Sequence, residues 1–258
     1  MIKLKTPAEI KILREGGKIL AEILQQLGNL VEPGINTAEL EQKAIELIKK
    51  AGGVSAFKGY RQSKNSQPFP TALCTSINEE IVHTPAKPGR FLEQGDIISL
   101  DIGMKYKNLF TDTAITVPVG DVEADTAKLI KTTEQCLELA IKQVKPGNTL
   151  YDIARAIQIN AEANGFGVVR ELVGHGVGYA VHEEPQVPNY DAEEEDLSDI
   201  KLEPGLVIAI EPMVTKGDWQ VTTGKNGFSF VTKDKSLAAH FEHTVAVVED
   251  GCLVITES

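Results

Sequence analysis

The sequence predicts an α+β protein with pseudo-two-fold design, an antiparallel sheet covered on one face by two helix pairs, with acidic side chains converging near the axis. Three observations predict it. Each half of the chain reads as helix, Pro-Gly turn, second helix. In each half, apolar runs that carry carboxylates follow those helices. No Ser- or Pro-rich linker divides the halves, so the 258 residues read as one domain built from about 1–120 and 121–258.

Thr6-Pro7-Ala8-Glu9 is a capping box with proline at the first helical position. Ile10, Leu13, Gly17, Leu20, Ile23, Leu24 and Leu27 then recur at helical spacing as far as Gly28. Pro33-Gly34 turns the chain into a second helix, capped near Thr37 and stopped by Ala51-Gly52-Gly53. The later copy has a helix from about Asp125 to Val144, the turn Pro146-Gly147, and a helix from Leu150 to Ala163 ending at Asn164-Gly165. Pro33 and Pro146 lie 113 positions apart, and Asp101 and Glu211 lie 110 apart, so the duplication stays in register through helices and strands. The second half adds a hairpin over roughly 215–230, marked by Gly217-Asp218 and Gly224-Lys225-Asn226-Gly227.

The strands carry the chemistry. Leu92 to Asp101 reappears as Leu202 to Glu211, each an apolar run ending on an acid. Asp112 and Glu242 each open a further strand. One unpaired buried carboxylate costs several kcal/mol, so four in one place call for strong positive charge. No lysine or arginine stands beside them in sequence, and divalent cations would answer the need.

Composition narrows the field. With 26 basic and 37 acidic residues the net charge is −11, which argues against nucleic acid or an anionic membrane as partner. Glu193-Glu194-Glu195-Asp196 reads as a solvated loop. Three cysteines without CxxC spacing suggest neither a disulfide framework nor structural zinc. No signal peptide or membrane-length apolar run is visible, so a soluble, cytoplasmic protein is expected.

Among five histidines, His175 is framed by glycines in Gly174-His175-Gly176-Val177-Gly178, His182 follows seven residues later, and His83 ends an apolar run. Any one of these could be a hydrogen-bonded structural residue. Taken jointly, four acids and a glycine-framed imidazole make an oxygen-rich ligand set suited to Mn, Fe(II), Co or Zn in two adjacent sites. Such a site implies metal-assisted hydrolysis. Nucleotide-binding and GxSxG signatures are absent from the sequence.

Several segments closely resemble methionine aminopeptidases of the type I class, which have the pita-bread fold. They are Ser76-Ile77-Asn78-Glu79, Gly174 to Gly178, His182-Glu183-Glu184-Pro185-Gln186-Val187, Ile210-Glu211-Pro212-Met213 and Thr232-Lys233-Asp234-Lys235-Ser236-Leu237, in a match running from Thr6 to Thr244. The resemblance implies removal of the initiator methionine from nascent polypeptides with a small second residue. It implies two divalent ions, bridged by Asp112 and Glu242, with Asp101 on one and His175 with Glu211 on the other. It also implies that Glu211 shuttles the proton, that His182 bonds the scissile peptide, and that His83 contacts the leaving-group side. Phe57, Tyr60, Phe69, Cys74, Val181 and Phe228 map onto the methionine pocket, Phe228 standing where relatives commonly have tryptophan. The polar stretch 61–67 is longer than in many relatives and abuts that pocket. Relatives imply a monomer, and contact with the ribosome is an expectation of the family alone. Two other readings are a proline-directed peptidase of the same fold and a non-catalytic binding module. Members of the latter sort lose ligands, whereas all five positions are filled here.

Overall fold

The computed structural model describes residues 2–191 and 200–258, so the acidic run 193–196 lies outside the described residues. Its four helices are α1 (Pro7–Gly28), α2 (Thr37–Lys50), α3 (Ala124–Ile141) and α4 (Leu150–Ala163). In the first half the strands are β1 (Val54–Ser55), β2 (Leu73–Ile77), β3 (Glu80–Val82), β4 (Ile97–Tyr106) and β5 (Leu109–Pro118). The second half supplies β6 (Gly167–Val168), β7 (Gly174–Gly176), β8 (Glu183–Val187), β9 (Val207–Ile210) and β10 (Met213–Thr215). It continues with β11 (Val221–Thr223), β12 (Phe230–Thr232), β13 (Ala238–His240), β14 (Glu242–Val248) and β15 (Gly251–Val254).

Caps and turns set these elements. The Thr6 hydroxyl accepts from Glu9 N while Glu9 accepts from Thr6 N, closing the expected capping box on α1. The cap of α2 is Asn36, whose Oδ1 accepts from Ala38 N. Thr37 is instead the first helical residue, because its hydroxyl is engaged by Ala86 O and Arg90 N. Helix α3 stops at Ile141, three residues before the predicted Val144. Gly34 and Gly147, after the paired prolines, have φ of 91° and 95°, and Gly95 and Gly205, before the paired strands, have 91° and 98°. All four occupy the left-handed region that glycine enters without steric cost. Bridges Asn36↔Phe91 and Thr149↔Lys201 tie each Pro-Gly turn to the approach to its strand, so the duplication is visible in the backbone.

A nine-stranded sheet runs β1-β4-β5-β14-β9-β7-β8, with β2 also on β4 and β15 on β14, and its pairings are antiparallel. Strand periodicity divides its two faces. Ile98, Leu100, Ile102 and Met104 of β4 pack with Leu20, Leu24, Leu27, Leu40 and Ala44 of α1 and α2. On the same face, Ile208, Ile210, Val245 and Val247 pack with Leu129, Cys136, Ile153 and Ile157 of α3 and α4. The opposite face carries Asp101, Asp112, His175 and Glu242. Smaller sheets β13-β10-β6 and β11-β12-β3 stand beside the main one.

Two strand expectations need correction. Asp101 and Asp112 sit inside ten-residue strands rather than at their ends, because β4 and β5 pair continuously from Ile97↔Pro118 to Tyr106↔Leu109. The predicted hairpin is β11-β12, and β12 pairs with β3 next to His83.

Two contacts lock the helix layer. Glu41 is buried on α2, and its carboxylate accepts from Ala72 N and Leu73 N at 2.9–3.0 Å, fastening the helix to the start of β2. Gly17, counted above in the apolar face of α1, is where the C-terminal chain crosses the helix. A Cβ added there would lie 2.3 Å from Ile255 O. Helix propensity alone favours Gly17→Ala by up to ~1 kcal/mol, but the rigid backbone contact dominates, and we expect a net loss of about 1–3 kcal/mol. Urea unfolding measures it, and a stabilised variant would refute the packing described.

Candidate metal centre and its pocket

Ladder register gathers the ligand candidates. Asp101 pairs with Ala114, and Ala114 pairs with Glu242, giving one rung across β4, β5 and β14. Glu211 follows Ile210, the partner of His243, and so stands beside Glu242 at the end of that rung. On the next rung Gly103 pairs with Asp112, the Asp112 N–H donates to the Thr244 hydroxyl, Thr244 pairs with Ala209, and Ala209 pairs with His175. All five candidates therefore face one side within two neighbouring rungs. The residues between them, Ala114, Gly103 and Ala209, are small, which leaves room above the sheet.

Asp112, His175 and Glu242 each bring a ligand atom within 4.8 Å of the others. Glu211 Oε1 lies 3.5 Å from His175 Nε2. Asp101, Asp112, Glu211 and Glu242 are between 3% and 9% exposed, and among the described residues none of their ion pairs involves lysine or arginine. Burial pushes Asp101 up to about 7. Burial first, then neighbouring carboxylates, holds Asp112, Glu211 and Glu242 well above the usual carboxylate range. Asp101 Oδ1 and Glu242 Oε1 are buried without a hydrogen-bond partner.

The histidine chemistry agrees. His175 Nδ1 lies 2.9 Å from Gly176 O, and a carbonyl only accepts, so Nδ1 carries the proton. Burial lowers the ring to about 3, so it is neutral, and its Nε2 lone pair is turned towards the Glu211 carboxylate. A lone pair and a carboxylate oxygen 3.5 Å apart repel unless a proton or a metal cation lies between them. Oxygen-rich donors, one such imidazole and unpartnered buried oxygens fit divalent metal.

The predicted pocket residues come together as well. Phe57, Cys74 and Val181 form one buried cluster with Tyr60 and Phe69 against it. Phe228 meets Phe69 edge to face at 5.6 Å between ring centroids. Gly103 opens the floor, since a Cβ there would lie 2.7 Å from the Phe57 ring. Cys74 pairs with Asp101 across β2 and β4, and burial beside Asp101 and Asp112 raises its thiol well above the ordinary value. It stays protonated. The 61–67 stretch leaves from a base closed by the Phe69 N–H to Tyr60 O and Gly59 N–H to Phe69 O bonds, so it is an excursion on the pocket rim. Trp219 is half-buried away from this group, with the Arg170 guanidinium 4.7 Å from its ring.

His182 stands at the mouth, its ring 4.4 Å from that of His175 and its Nδ1 2.7 Å from the Tyr60 hydroxyl. His83 adopts φ of 60° just after β3, with its ring 5.7 Å from that of Phe230. Burial lowers it to about 4, and it too is neutral. Two neighbours were absent from the sequence expectation. Phe110 packs against the pocket cluster. His240 is 1% exposed, and its Nε2 lies 3.7 Å from Glu211 Oε2. The signal for His240 was its place two residues before Glu242.

"Methionine aminopeptidase 1" of Bacillus subtilis is 44% identical over 257 residues, covering 99% of each chain. A crystal structure of methionine aminopeptidase from Thermotoga maritima superposes with a TM-score of 0.93 at 39% identity, covering 100% of both chains. A prolidase from Pyrococcus horikoshii shares the fold at a TM-score of 0.74 and 22% identity, over 99% of this chain and 63% of that one. The pattern of metallopeptidase family M24 matches residues 11–249. That span begins in α1, ends beyond β14 and contains every segment bearing one of the five donors, and the chain belongs to metallopeptidase family M24.

Proposed function

We propose that this chain is a methionine aminopeptidase that releases the N-terminal methionine of nascent polypeptides whose second residue is small. One observation carries the reading. The five-donor face of the sheet adjoins an apolar cage of Phe57, Tyr60, Phe69, Cys74 and Val181, in a chain similar along its whole length to proteins of that name. Prolidase-like structures share the fold alone at this identity.

In this reading the residues hold two divalent ions of the Mn, Fe(II), Co or Zn class. Asp112 and Glu242 would be shared between them, Asp101 would hold one, and His175 with Glu211 would hold the other. Divalent ions held there would supply polarisation of a carbonyl and acidification of a water towards neutrality. Glu211, with its carboxyl at the edge of the cluster, takes the proton of the attacking water and returns it to the leaving amine. With the Tyr60 hydroxyl 2.7 Å from His182 Nδ1 and donating to it, Nε2–H would be free to donate to the scissile carbonyl oxygen as negative charge grows there. His83, held beside Phe230 across the site, contacts the peptide beyond the scissile bond. The cage receives the methionine side chain, whose thioether suits irregular aromatic surroundings. We read the two halves as one catalytic unit, acting as a cytoplasmic monomer on chains emerging from the ribosome.

The deciding experiment is hydrolysis of Met-Ala-Ser by metal-free protein reloaded separately with Mn, Fe(II), Co or Zn, against Xaa-Pro dipeptides. Metal-dependent release of free methionine, lost in Glu211→Gln, is the expected result. Turnover of Xaa-Pro substrates alone would move the chain to the proline-directed branch, and no turnover with any ion would favour a binding module. Asp112→Ala should weaken metal binding at least about tenfold by calorimetric titration, with the fold retained by circular dichroism. His182→Ala should keep its metal and lose about 10²–10³ in kcat, the cost of one donor to a developing oxyanion. An unchanged kcat would remove His182 from the chemistry.

A further inference from the structure

The turn that presents His182 rests on a buried ion pair outside the metal centre. The Lys5 side chain is 1% exposed. Its Nζ donates to Glu183 Oε2 at 2.6 Å and to Lys3 O at 3.1 Å, and lies 4.9 Å from the Tyr179 ring centroid. The second oxygen of Glu183 accepts from Ala180 N at 2.6 Å, so one carboxylate joins the lysine to the inside of the 178–183 turn. Gly178 has φ of 138°, and a Cβ there would stand 2.5 Å from Lys5 Cε, which shows how closely the turn wraps the lysine stem.

Both ends of this brace are fixed. Lys5 N donates to Gly205 O at 2.7 Å. The Tyr179 hydroxyl donates to Glu9, the residue that closes the capping box of α1. Phe110 N donates to Gly178 O, which ties the turn to β5 and the pocket. Glu183 immediately follows His182, so the backbone on one side of that histidine is held by an ammonium with almost no access to water.

A surface ion pair would be weak and expendable. This one is different, because removing one partner leaves a buried charge alone and the turn without its anchor. We propose that Lys5 is a positioning residue for the peptidase reaction: its ion pair with Glu183 sets the 178–183 turn so that the His182 ring stays against His175 and Tyr60. The inference rests on the role given above to His182.

Metal-loaded Lys5→Met tests it. Bound metal should be unchanged, since Lys5 touches no ligand, while kcat on Met-Ala-Ser should fall at least about tenfold with KM altered less than about threefold, as expected for lost orientation. Amide exchange at Ala180 should speed up at least about tenfold. In a His182→Ala background, Lys5→Met should change kcat by less than about twofold, because the two act through one element. Independent, multiplying losses in that cycle would overturn the proposal, as would wild-type exchange at Ala180. If Lys5→Met does not fold, Lys5→Met with Glu183→Gln removes both charges together, and the same exchange and cycle measurements apply. Should His182→Ala leave kcat unchanged, the role of His182 fails, and Ala180 exchange alone then decides whether Lys5 holds the turn.

Discussion

Four carboxylates gathered on one face of a buried sheet are the constraint that shapes the rest of the molecule. Each costs several kcal/mol to bury without a counter-charge, and among the described residues no lysine or arginine forms an ion pair with any of the four. Such a cluster is tolerable only on a backbone whose own polar groups are already satisfied and which cannot spread to relieve repulsion. Central antiparallel strands meet both conditions. Ladder bonds, supplemented by the Thr244 and Thr256 hydroxyls, occupy the amides of β4, β5 and β14, and the opposite face is sealed by leucine and isoleucine from the four helices. The apolar layer supplies folding energy that the acidic face spends in exchange for affinity towards divalent ions.

Duplication explains how the acids come to meet. A helix pair, a left-handed glycine turn and a strand approach recur in each half, so two copies arranged about a pseudo-two-fold axis bring like positions together. The copies then diverge by task. Pocket residues Phe57, Tyr60, Phe69 and Cys74 come from the first half, whereas His175, His182 and the β11-β12 hairpin come from the second. A cleft assembled this way draws its candidate metal donors from both halves and its apolar cage largely from one.

Local chemistry was legible in the sequence where a residue acts on its near neighbours. The Thr6 capping box, the Pro-Gly turns and the limits of α4 follow from residues within one turn of each other. The acids were legible because they are repeated. What stayed hidden depended on distant partners. Thr37 looks like a cap, but Ala86 and Arg90 claim its hydroxyl, so Asn36 takes the role. Asp101 looks like a strand end, but ten residues of pairing with β5 carry the strand past it. Neither Glu41 nor Lys5 carries a local sign of burial in the sequence. Each is buried by partners 31 and 178 positions away respectively, separations that no local pattern encodes.

The sheet and its donors also explain why substrate choice must be made elsewhere. Prolidase and methionine aminopeptidase structures superpose on this chain, so the shared layer of strands and helices does not by itself select a methionine. Selection falls to parts that stand off the sheet. Tyr60 and Phe69, at the base of the 61–67 excursion, form one wall of the cage, and Phe228 on the hairpin closes against Phe69 from the other side. Tyr60 belongs both to that wall and to the hydrogen bond that orients His182. In the proposed function, a side chain filling the cage presses on the residue that orients His182, which would couple recognition of the methionine to the geometry of bond cleavage. A substrate that binds the metal face but leaves the cage empty would lose kcat as well as affinity, since interactions remote from the reacting bond are what hold it in the reactive orientation.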